Sequence, residues 1–298
     1  MVLLSIITPH YNMPDTLRRL VDSVPREDWI EHIVVDDKSD TDPEKLAEVK
    51  AYVTDKGSIW IDNTTDQKGT GICRDLGIQK ATGKWVLIAD ADDYFIKGAA
   101  DILCKYLDDE ADVIYFAPCS IREGNNGRSY RHVPYRRLIQ HFVSDPGEAC
   151  EMRLRYMYVL DLSKMIRRNM IIENNVRSSV SPVANDVMFS ILCAYYAKTV
   201  KATSETVYCM TQHPGSLTTT KNVEHFRKRI EIYIEQDRFM KEHLSESDYA
   251  YTRISARTML LQCLLDYGIK EFFATVKHLR ENHAPINLLA LKVRRRLV

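Results

Sequence analysis

Short apolar runs and helical spacings alternate through the first 120 residues of the chain. The apolar runs are almost continuous, which is typical of strands that are buried on both faces of a sheet. Five strands are predicted on this basis: Val2–Thr8, His32–Asp37, Ser58–Asp62, Trp85–Asp90 and Asp112–Pro118.

Helices are predicted between these strands. Apolar residues at positions 17, 20, 21 and 24 follow Pro14 with helical spacing, and proline suits a first helical turn. A second helix is predicted over Glu44–Thr54 and a third from about Gly71 to Ala81, where Gly83 can end it. Strands that alternate with helices predict an α/β fold with a mostly parallel sheet and right-handed crossovers.

The pattern changes in the second half of the chain. Residues 120–150 are rich in Gly, Asn and Arg and are interpreted as a long surface excursion. A helix is predicted over Asp186–Lys198, and the chain after residue 220 is predicted to be helical, with Val223, Phe226, Ile230 and Tyr233 on one buried face. We therefore predict a domain over residues 1–220 and a helical C-terminal extension over residues 221–298.

Composition narrows the class of protein. The chain has 41 basic and 41 acidic residues, so its net charge gives no reason to expect a nucleic-acid partner. Seven scattered cysteines without C-x-x-C spacing predict reduced thiols and a cytoplasmic location. The apolar start, Met1–Thr8, is too short to span a membrane and lacks the flanks of a signal peptide, so a strand is expected there.

An acidic cluster follows the fourth predicted strand in "WVLIADADDYF". Ligands bind beyond the carboxyl ends of parallel strands, and side chains alternate along an extended backbone. Asp90 and Asp92 are therefore expected to point the same way and Asp93 the opposite way. Two adjacent carboxylates favour a hard divalent cation with a nucleotide diphosphate as its further ligand, and a solvated acidic turn is the alternative.

Three motifs carry a resemblance to a known family. "SIITPHYNMPDT", "HIVVDDKSD" and "KGTGICRDLGIQKATGKWVLIADADDYF" together resemble the opening of family-2 glycosyltransferases, and "NDVMF" and "HPGSLT" extend the resemblance over roughly residues 3 to 220. The resemblance implies a GT-A fold and transfer of a sugar from a nucleotide-diphosphate donor. A sugar-1-phosphate nucleotidyltransferase is less compatible, because "TPHYNMPDT" has no glycine.

The resemblance also implies roles for individual residues. Tyr11 matches the position that stacks on the base, Asp37 the acid that reads the base, and Asp90 the acid that meets the ribose. Without the resemblance, Tyr11 could simply cover the core edge, Asp37 could hold a turn and Arg74 could be a solvated helix residue. The nucleotide-binding positions implied are Pro9, Tyr11, Asp37, Arg74, Asp90 and Ser216.

The same resemblance assigns the metal and the base. Asp92 matches the acid that binds Mn²⁺ or Mg²⁺, and His213 matches a late-loop histidine that can complete the metal shell. Asp186 matches the catalytic base of an E-D motif, which implies a single displacement with inversion. Asn185 replaces the glutamate of that motif, and Asp75 replaces the asparagine of A-R-N, so a catalytically inactive sugar- or nucleotide-binding relative is the alternative.

The donor and acceptor are less determined. UDP is the expected donor nucleotide from the resemblance alone, and the acceptor is expected to be a saccharide or a lipid-linked saccharide. The tail "PINLLALKVRRRLV" combines apolar residues with four basic ones, which suits peripheral contact with the inner face of the cell membrane. A packed C-terminal helix is the alternative for this tail.

Overall fold

A computed structural model of the chain describes residues 1–123, 127–213 and 221–287. The chain divides into two compact units, Met1–Ser216 and Leu217–Val298. The strands are β1 Leu4–His10, β2 Ile30–Asp36, β3 Ile59–Asp62, β4 Trp85–Ile88, β5 Tyr94–Phe95, β6 Val113–Phe116, β7 Cys119–Arg122, β8 Gly127–Arg128, β9 Lys164–Arg167, β10 Val200–Thr203 and β11 Tyr208–Gln212. The helices are α1 Pro14–Ser23, α2 Pro43–Asp55, α3 Thr70–Lys80, α4 Ala99–Cys104, α5 Val133–Ser144, α6 Glu148–Met157, α7 Arg168–Glu173, α8 Asn185–Tyr196, α9 Val223–His243, α10 Glu246–Thr252 and α11 Arg257–Glu281.

Seven strands form the main sheet of the first unit, in the order β10-β6-β9-β4-β1-β2-β3. All neighbours pair in parallel except β9, which is antiparallel to both β4 and β6. The α/β fold with a mostly parallel sheet is therefore confirmed. Strands β1 and β4 lie at the centre and are buried along their whole length, as expected from their continuous apolar runs.

The edge strand β3 departs from the prediction. The sequence around Ser58–Asp62 was expected to be buried on both faces, but Ile59 and Asp62 are exposed because β3 has a partner on one side only. The third helix agrees closely with its prediction. It packs against β1 so tightly that a Cβ atom on Gly77 would lie 2.3 Å from Cγ2 of Ile7, which explains the glycine at this position.

A smaller sheet of four strands, in the order β5-β11-β7-β8, adjoins the acidic cluster. The interpretation of residues 120–150 as a surface excursion is only partly right. This segment contains β7, β8 and α5, and Ile139 on α5 is completely buried in the core. Helix α5 was not predicted, because only one of its faces is apolar and its apolar residues stand in a stretch rich in Arg and Gly.

The second unit is helical in its described part, as predicted. Phe226, Ile230 and Tyr233 lie buried along α9, and Val223 is half-buried. Asn222 begins this helix by accepting a hydrogen bond from the backbone N–H of His225 at 3.0 Å. Among the described residues, none of the helices combines the length and apolar character needed to cross a membrane.

Candidate functional site

The parallel strands β1, β2 and β4 end at one edge of the main sheet, and polar side chains follow each of them. Pairing of His10 with Asp36, and of Ile7 with Ile88, brings these ends into register. Loops after parallel strands converge at such an edge and form the usual ligand crevice of an open α/β sheet. The candidate site is built there.

Hydrogen bonds to side chains hold the first loop. His10 Nδ1 lies 2.8 Å from Asp36 Oδ1, and His10 Nε2 accepts a hydrogen bond from the backbone N–H of Met13 at 3.2 Å. Asn12 adopts a left-handed conformation (φ 54°), and its side-chain oxygen accepts from the backbone of Asp40 at 2.9 Å. These contacts fix the turn that presents Tyr11.

The predicted base-binding residues line this turn. Pro9 is buried within β1, whereas Tyr11 is 40% exposed and has Lys68 Nζ 3.8 Å from its ring centroid. Asp37 is buried and accepts a hydrogen bond from Asn63 Nδ2 at 2.9 Å. An accessible aromatic ring beside a buried carboxylate is an arrangement that can hold a nucleobase.

Asp90, Asp92 and Asp93 form one cluster, with candidate ligand atoms all within 4.8 Å of one another. The expectation that Asp93 points away from the other two is wrong, because β4 ends at Ile88 and the chain then turns instead of remaining extended. Alternation applies only to extended backbone. The turn therefore gathers three carboxylates where two were expected.

Strong contacts support this acidic turn. The backbone carbonyl of Asp92 accepts hydrogen bonds from Arg19 and from the Thr211 hydroxyl. Asp93 is 1% exposed, and its Oδ1 accepts from the backbone N–H of Thr211 at 2.6 Å. The Tyr208 hydroxyl accepts from the backbone N–H of Asp90 at 2.8 Å. Strand β11 thus fixes the cluster from the small sheet.

The cluster fits a hard divalent cation. Burial, reinforced by neighbouring carboxylates, raises the pKa of Asp92 and raises that of Asp93 well above its usual range. Asp93 Oδ2 is buried and has no hydrogen-bond partner among the described residues. His213 Nε2 lies 3.2 Å from Asp92 Oδ2 and can add an imidazole ligand. A divalent cation at this position would offset the negative charge of the cluster.

Arg74 lies at the centre of the site and is almost completely buried on α3. Its Nη1 donates to Asn185 Oδ1 at 2.5 Å, and its Nη2 donates to Asp90 Oδ1 at 3.3 Å. Its Nε lies 2.8 Å from Asp161 Oδ2. Burial alone would lower the pKa of Arg74, but Asp161, Asp90 and Asp186 outweigh it and raise that pKa.

Asp161 belongs to this site but was missed at the level of sequence. It lies in the apolar stretch "MYVLDLSKMI", and an acid surrounded by apolar residues was a signal that it is buried and paired. Burial raises the pKa of its carboxyl, and the positive charge of Arg74 opposes this shift and favours the ionised form.

Asp186 lies in the first turn of α8, immediately after Asn185. Burial raises the pKa of its carboxyl, and the positive charge of Arg74 opposes the shift. Asp186 is half-buried, and a partly accessible carboxylate with a raised pKa is suited to accept a proton. Ser216, the remaining predicted residue, lies outside the described residues.

Comparisons with known proteins agree with this geometry. The family model described as "Glycosyl transferase family 2" matches residues 5–171. The uncharacterized glycosyltransferase YibD of Escherichia coli (strain K12) is 26% identical over 244 residues, which cover 77% of this chain and 68% of YibD. The poly(ribitol-phosphate) β-N-acetylglucosaminyltransferase TarS of Staphylococcus aureus (strain MW2) is 26% identical over 214 residues, which cover 70% of this chain and 35% of TarS. The match therefore spans about a third of the length of TarS.

Solved structures show the same fold. Residues 1–349 of S. aureus TarS in complex with UDP-GlcNAc align with a TM-score of 0.63 at 16% identity, covering 94% of this chain and 92% of that one. The mannosyltransferase PcManGT from Pyrobaculum calidifontis in complex with GDP-Man and Mn²⁺ aligns with a TM-score of 0.54 at 14% identity, covering 93% and 75%. The predicted GT-A fold is confirmed.

Proposed function

This chain belongs to glycosyl transferase family 2, and we propose that it moves a sugar from a nucleotide-diphosphate donor to an acceptor hydroxyl with inversion. One arrangement carries the proposal: Arg74 contacts both Asp90, in the acidic cluster, and Asn185, the neighbour of Asp186. A single buried guanidinium thus joins the residues proposed for the donor to the residue proposed for the base. We assign this activity to residues 1–220 and treat residues 221–298 as an extension.

UDP is the proposed donor nucleotide. In the proposal, the Tyr11 ring stacks on the base, Asp37 accepts a hydrogen bond from it, and Asp90 meets the ribose. Pro9 lies at the end of β1 beside this loop, and Ser216 is assigned to the diphosphate from the family resemblance alone. The complex of TarS residues 1–349 with UDP-GlcNAc gives a precedent for UDP in the same fold.

Asp92 and His213 are the proposed ligands of Mn²⁺ or Mg²⁺. When bound, such a cation neutralises charge that develops on the departing diphosphate. The acidic cluster favours the cation because its carboxylates repel one another, and this repulsion contributes to the raised pKa of Asp92. The complex of PcManGT with GDP-Man and Mn²⁺ gives a precedent in the same fold.

Asp186 is the proposed general base. Its carboxylate takes the proton of the acceptor hydroxyl while that oxygen forms a bond to the anomeric carbon of the sugar. The bond between the anomeric carbon and the diphosphate oxygen breaks on the opposite face, and the nucleoside diphosphate leaves with the electron pair. One displacement inverts the anomeric configuration.

The acceptor is proposed to be a saccharide or a lipid-linked saccharide, as in the synthesis of cell-envelope polysaccharides. We expect the protein to act in the cytoplasm, with the tail after Ala284 in peripheral contact with the inner face of the membrane. Residues 288–298 of this tail lie outside the described residues. Flotation with anionic vesicles tests this contact. Loss of flotation on truncation after Ala284 is the expected result, and equal flotation of both chains would reject it.

A thermal-shift screen with Mn²⁺ tests the donor assignment. We expect UDP or a UDP-sugar to raise the melting temperature more than GDP, CMP or dTDP, since stabilisation grows with occupancy of the folded site. Asp92→Ala should abolish the metal-dependent part of this increase, whereas Asp101→Ala, an exposed acid on α4, should not. Hydrolysis of the selected UDP-sugar without acceptor would then distinguish an enzyme from a catalytically inactive binding relative, which would bind the donor without cleaving it.

A further inference from the structure

A single β-bridge next to Asp161 brings this residue to the candidate site. It lies between α6 and β9, and the next residue, Leu162, pairs in parallel with Ile88 at the end of β4. Asp90 follows Ile88 by two residues, so this pairing brings Asp161 close to the acidic turn, and both acids reach Arg74. The Asp161 side chain is 1% exposed and does not face open solvent.

The Arg74 guanidinium has three partners of different kinds. Its Nε forms an ion pair with the carboxylate of Asp161 at 2.8 Å, and its Nη1 and Nη2 donate to Asn185 and Asp90. Both oxygens of Asp161 are buried and have no hydrogen-bond partner within the described ranges. The ion pair with Arg74 is therefore the main interaction that compensates this carboxylate, and the buried Lys164 contributes less.

The three partners of Arg74 differ in charge and in burial, so they interact with its guanidinium in different ways. Asn185 is neutral and gives Arg74 no counter-charge, while Asp90 is 29% exposed and belongs to the acidic cluster that meets the donor. A buried arginine without a fixed counter-charge is unfavourable and free to reorient. Only Asp161 combines a negative charge with a completely enclosed position among the three.

We propose that Asp161 is a positioning residue that fixes Arg74 between the donor-binding acid Asp90 and the helix that begins with Asn185 and Asp186. This inference rests on the proposed function and adds a residue to it. Asp161 touches neither donor nor acceptor and acts through Arg74. Asn185 gives the Arg74 guanidinium no negative charge, whereas a glutamate at position 185 would. In the proposal, Asp161 supplies this negative charge instead.

A charge-relocation experiment tests the proposal. Asp161→Asn removes the counter-charge with little change in shape, and kcat/KM is expected to fall by about tenfold or more together with the melting temperature. Asn185→Glu in the same chain places a carboxylate on Arg74 from the other side, since Nη1 already reaches this side chain. The double variant is expected to recover most of the lost kcat/KM and of the lost melting temperature.

A matched control is available away from the site. Arg155 is also buried and pairs with Glu151 at 2.7 Å, while donating to the carbonyl of Ala194 near the far end of α8. Glu151→Gln should lower the melting temperature and leave kcat/KM within about twofold of the parent. This control separates general loss of a buried ion pair from loss of the Arg74 position.

The outcomes are distinct. Recovery in the double variant, including a case in which only Asp161→Asn fails to fold, supports the proposal. A double variant no more active or stable than Asp161→Asn overturns it, as does an Asp161→Asn protein that matches the parent in both measurements. If the parent itself transfers no sugar, the proposed function fails, whereas the melting temperatures of the same variants still report whether Asp161 fixes Arg74.

Discussion

His213 Nε2 lies 3.2 Å from Asp92 Oδ2, although the two residues are 121 positions apart in the chain. Strand β11 makes this contact possible, because its pairing with β5 directly after the acidic turn brings its carboxyl end to the cluster. Asp92 belongs to the acidic cluster, so the pair can share one cation.

The His213–Asp92 contact leads to a prediction about metal affinity. His213→Ala should weaken Mn²⁺ binding by about tenfold or more, because one nitrogen ligand is lost and Asp92 loses its orienting partner. Calorimetric titration of Mn²⁺ in the presence of UDP measures this change. His141→Ala, on the exposed face of α5, is the control, and equal affinities for all three chains would remove His213 from the metal site.

Replacement of the proposed base should separate catalysis from binding. Asp186→Asn keeps the shape of the side chain but cannot accept the acceptor proton, so kcat should fall by about 10² to 10⁴. The affinity for the donor nucleotide should change little. Asp101→Asn, another acid in the first turn of a helix, should retain full activity. An Asp186→Asn enzyme within about threefold of the parent would contradict the assignment.

The pH dependence of turnover follows from the same residue. Burial raises the pKa of Asp186, and only its ionised form can take a proton. At saturating donor and metal, kcat should therefore decrease as pH is lowered, with a midpoint above the usual value of about 3.9 for an aspartate. The residual activity of Asp186→Asn should lack this acid limb. An unchanged limb in that variant would assign the titration to another group.

The main sheet was predictable because buried parallel strands are nearly continuous apolar runs, as in β1 and β4. The same pattern could not show that β3 is an edge strand, since sheet order depends on pairing between distant segments. The alternation rule failed after Ile88 because a turn replaces extended backbone there. The positions of the strands were therefore more predictable than the order in which the strands pair.

Candidate site residues could be named from the sequence where a motif carried them, as for Asp92 and Asp186, whose roles stay predictions. Asp161 could not be named in this way, because its role depends on a side-chain ion pair with Arg74, which lies 87 positions away in the chain (161 − 74). Its importance also depends on the neutral side chain at position 185, which alters the charge balance of the same guanidinium. Such compensation between distant residues becomes visible only in three dimensions.

Gly71 offers a test of the packing around the base. A Cβ atom at this position would lie 2.3 Å from the backbone carbonyl oxygen of Ser179, which cannot rotate away as a side chain could. The backbone N–H of Ser179 donates a hydrogen bond to the carbonyl oxygen of Asn185 at 3.3 Å. Gly71→Ala should therefore reduce the free energy of unfolding by about 1–3 kcal/mol and lower kcat as well.

Urea denaturation and turnover of the same preparations measure both effects at Gly71. Gly147→Ala is the matched control, because its nearest neighbour is the flexible Asp145 side chain at 3.3 Å. A Gly71→Ala protein with the stability and activity of this control would show that the loop at Ser179 is free to move.

Tyr11 allows its ring and its hydroxyl to be tested separately. The hydroxyl donates to Asp40 at 3.1 Å, which holds the ring at the edge of the crevice, while Lys68 Nζ lies over one face of the ring. Stacking of a base requires the ring alone, and each such contact contributes about 1–3 kcal/mol. Tyr11→Phe should bind UDP nearly as well as the parent, whereas Tyr11→Ala should bind about tenfold or more weakly. Fluorescence or calorimetric titration with UDP distinguishes the two, and equal weakening by both substitutions would mean that the hydroxyl contact, and not stacking, governs nucleotide binding.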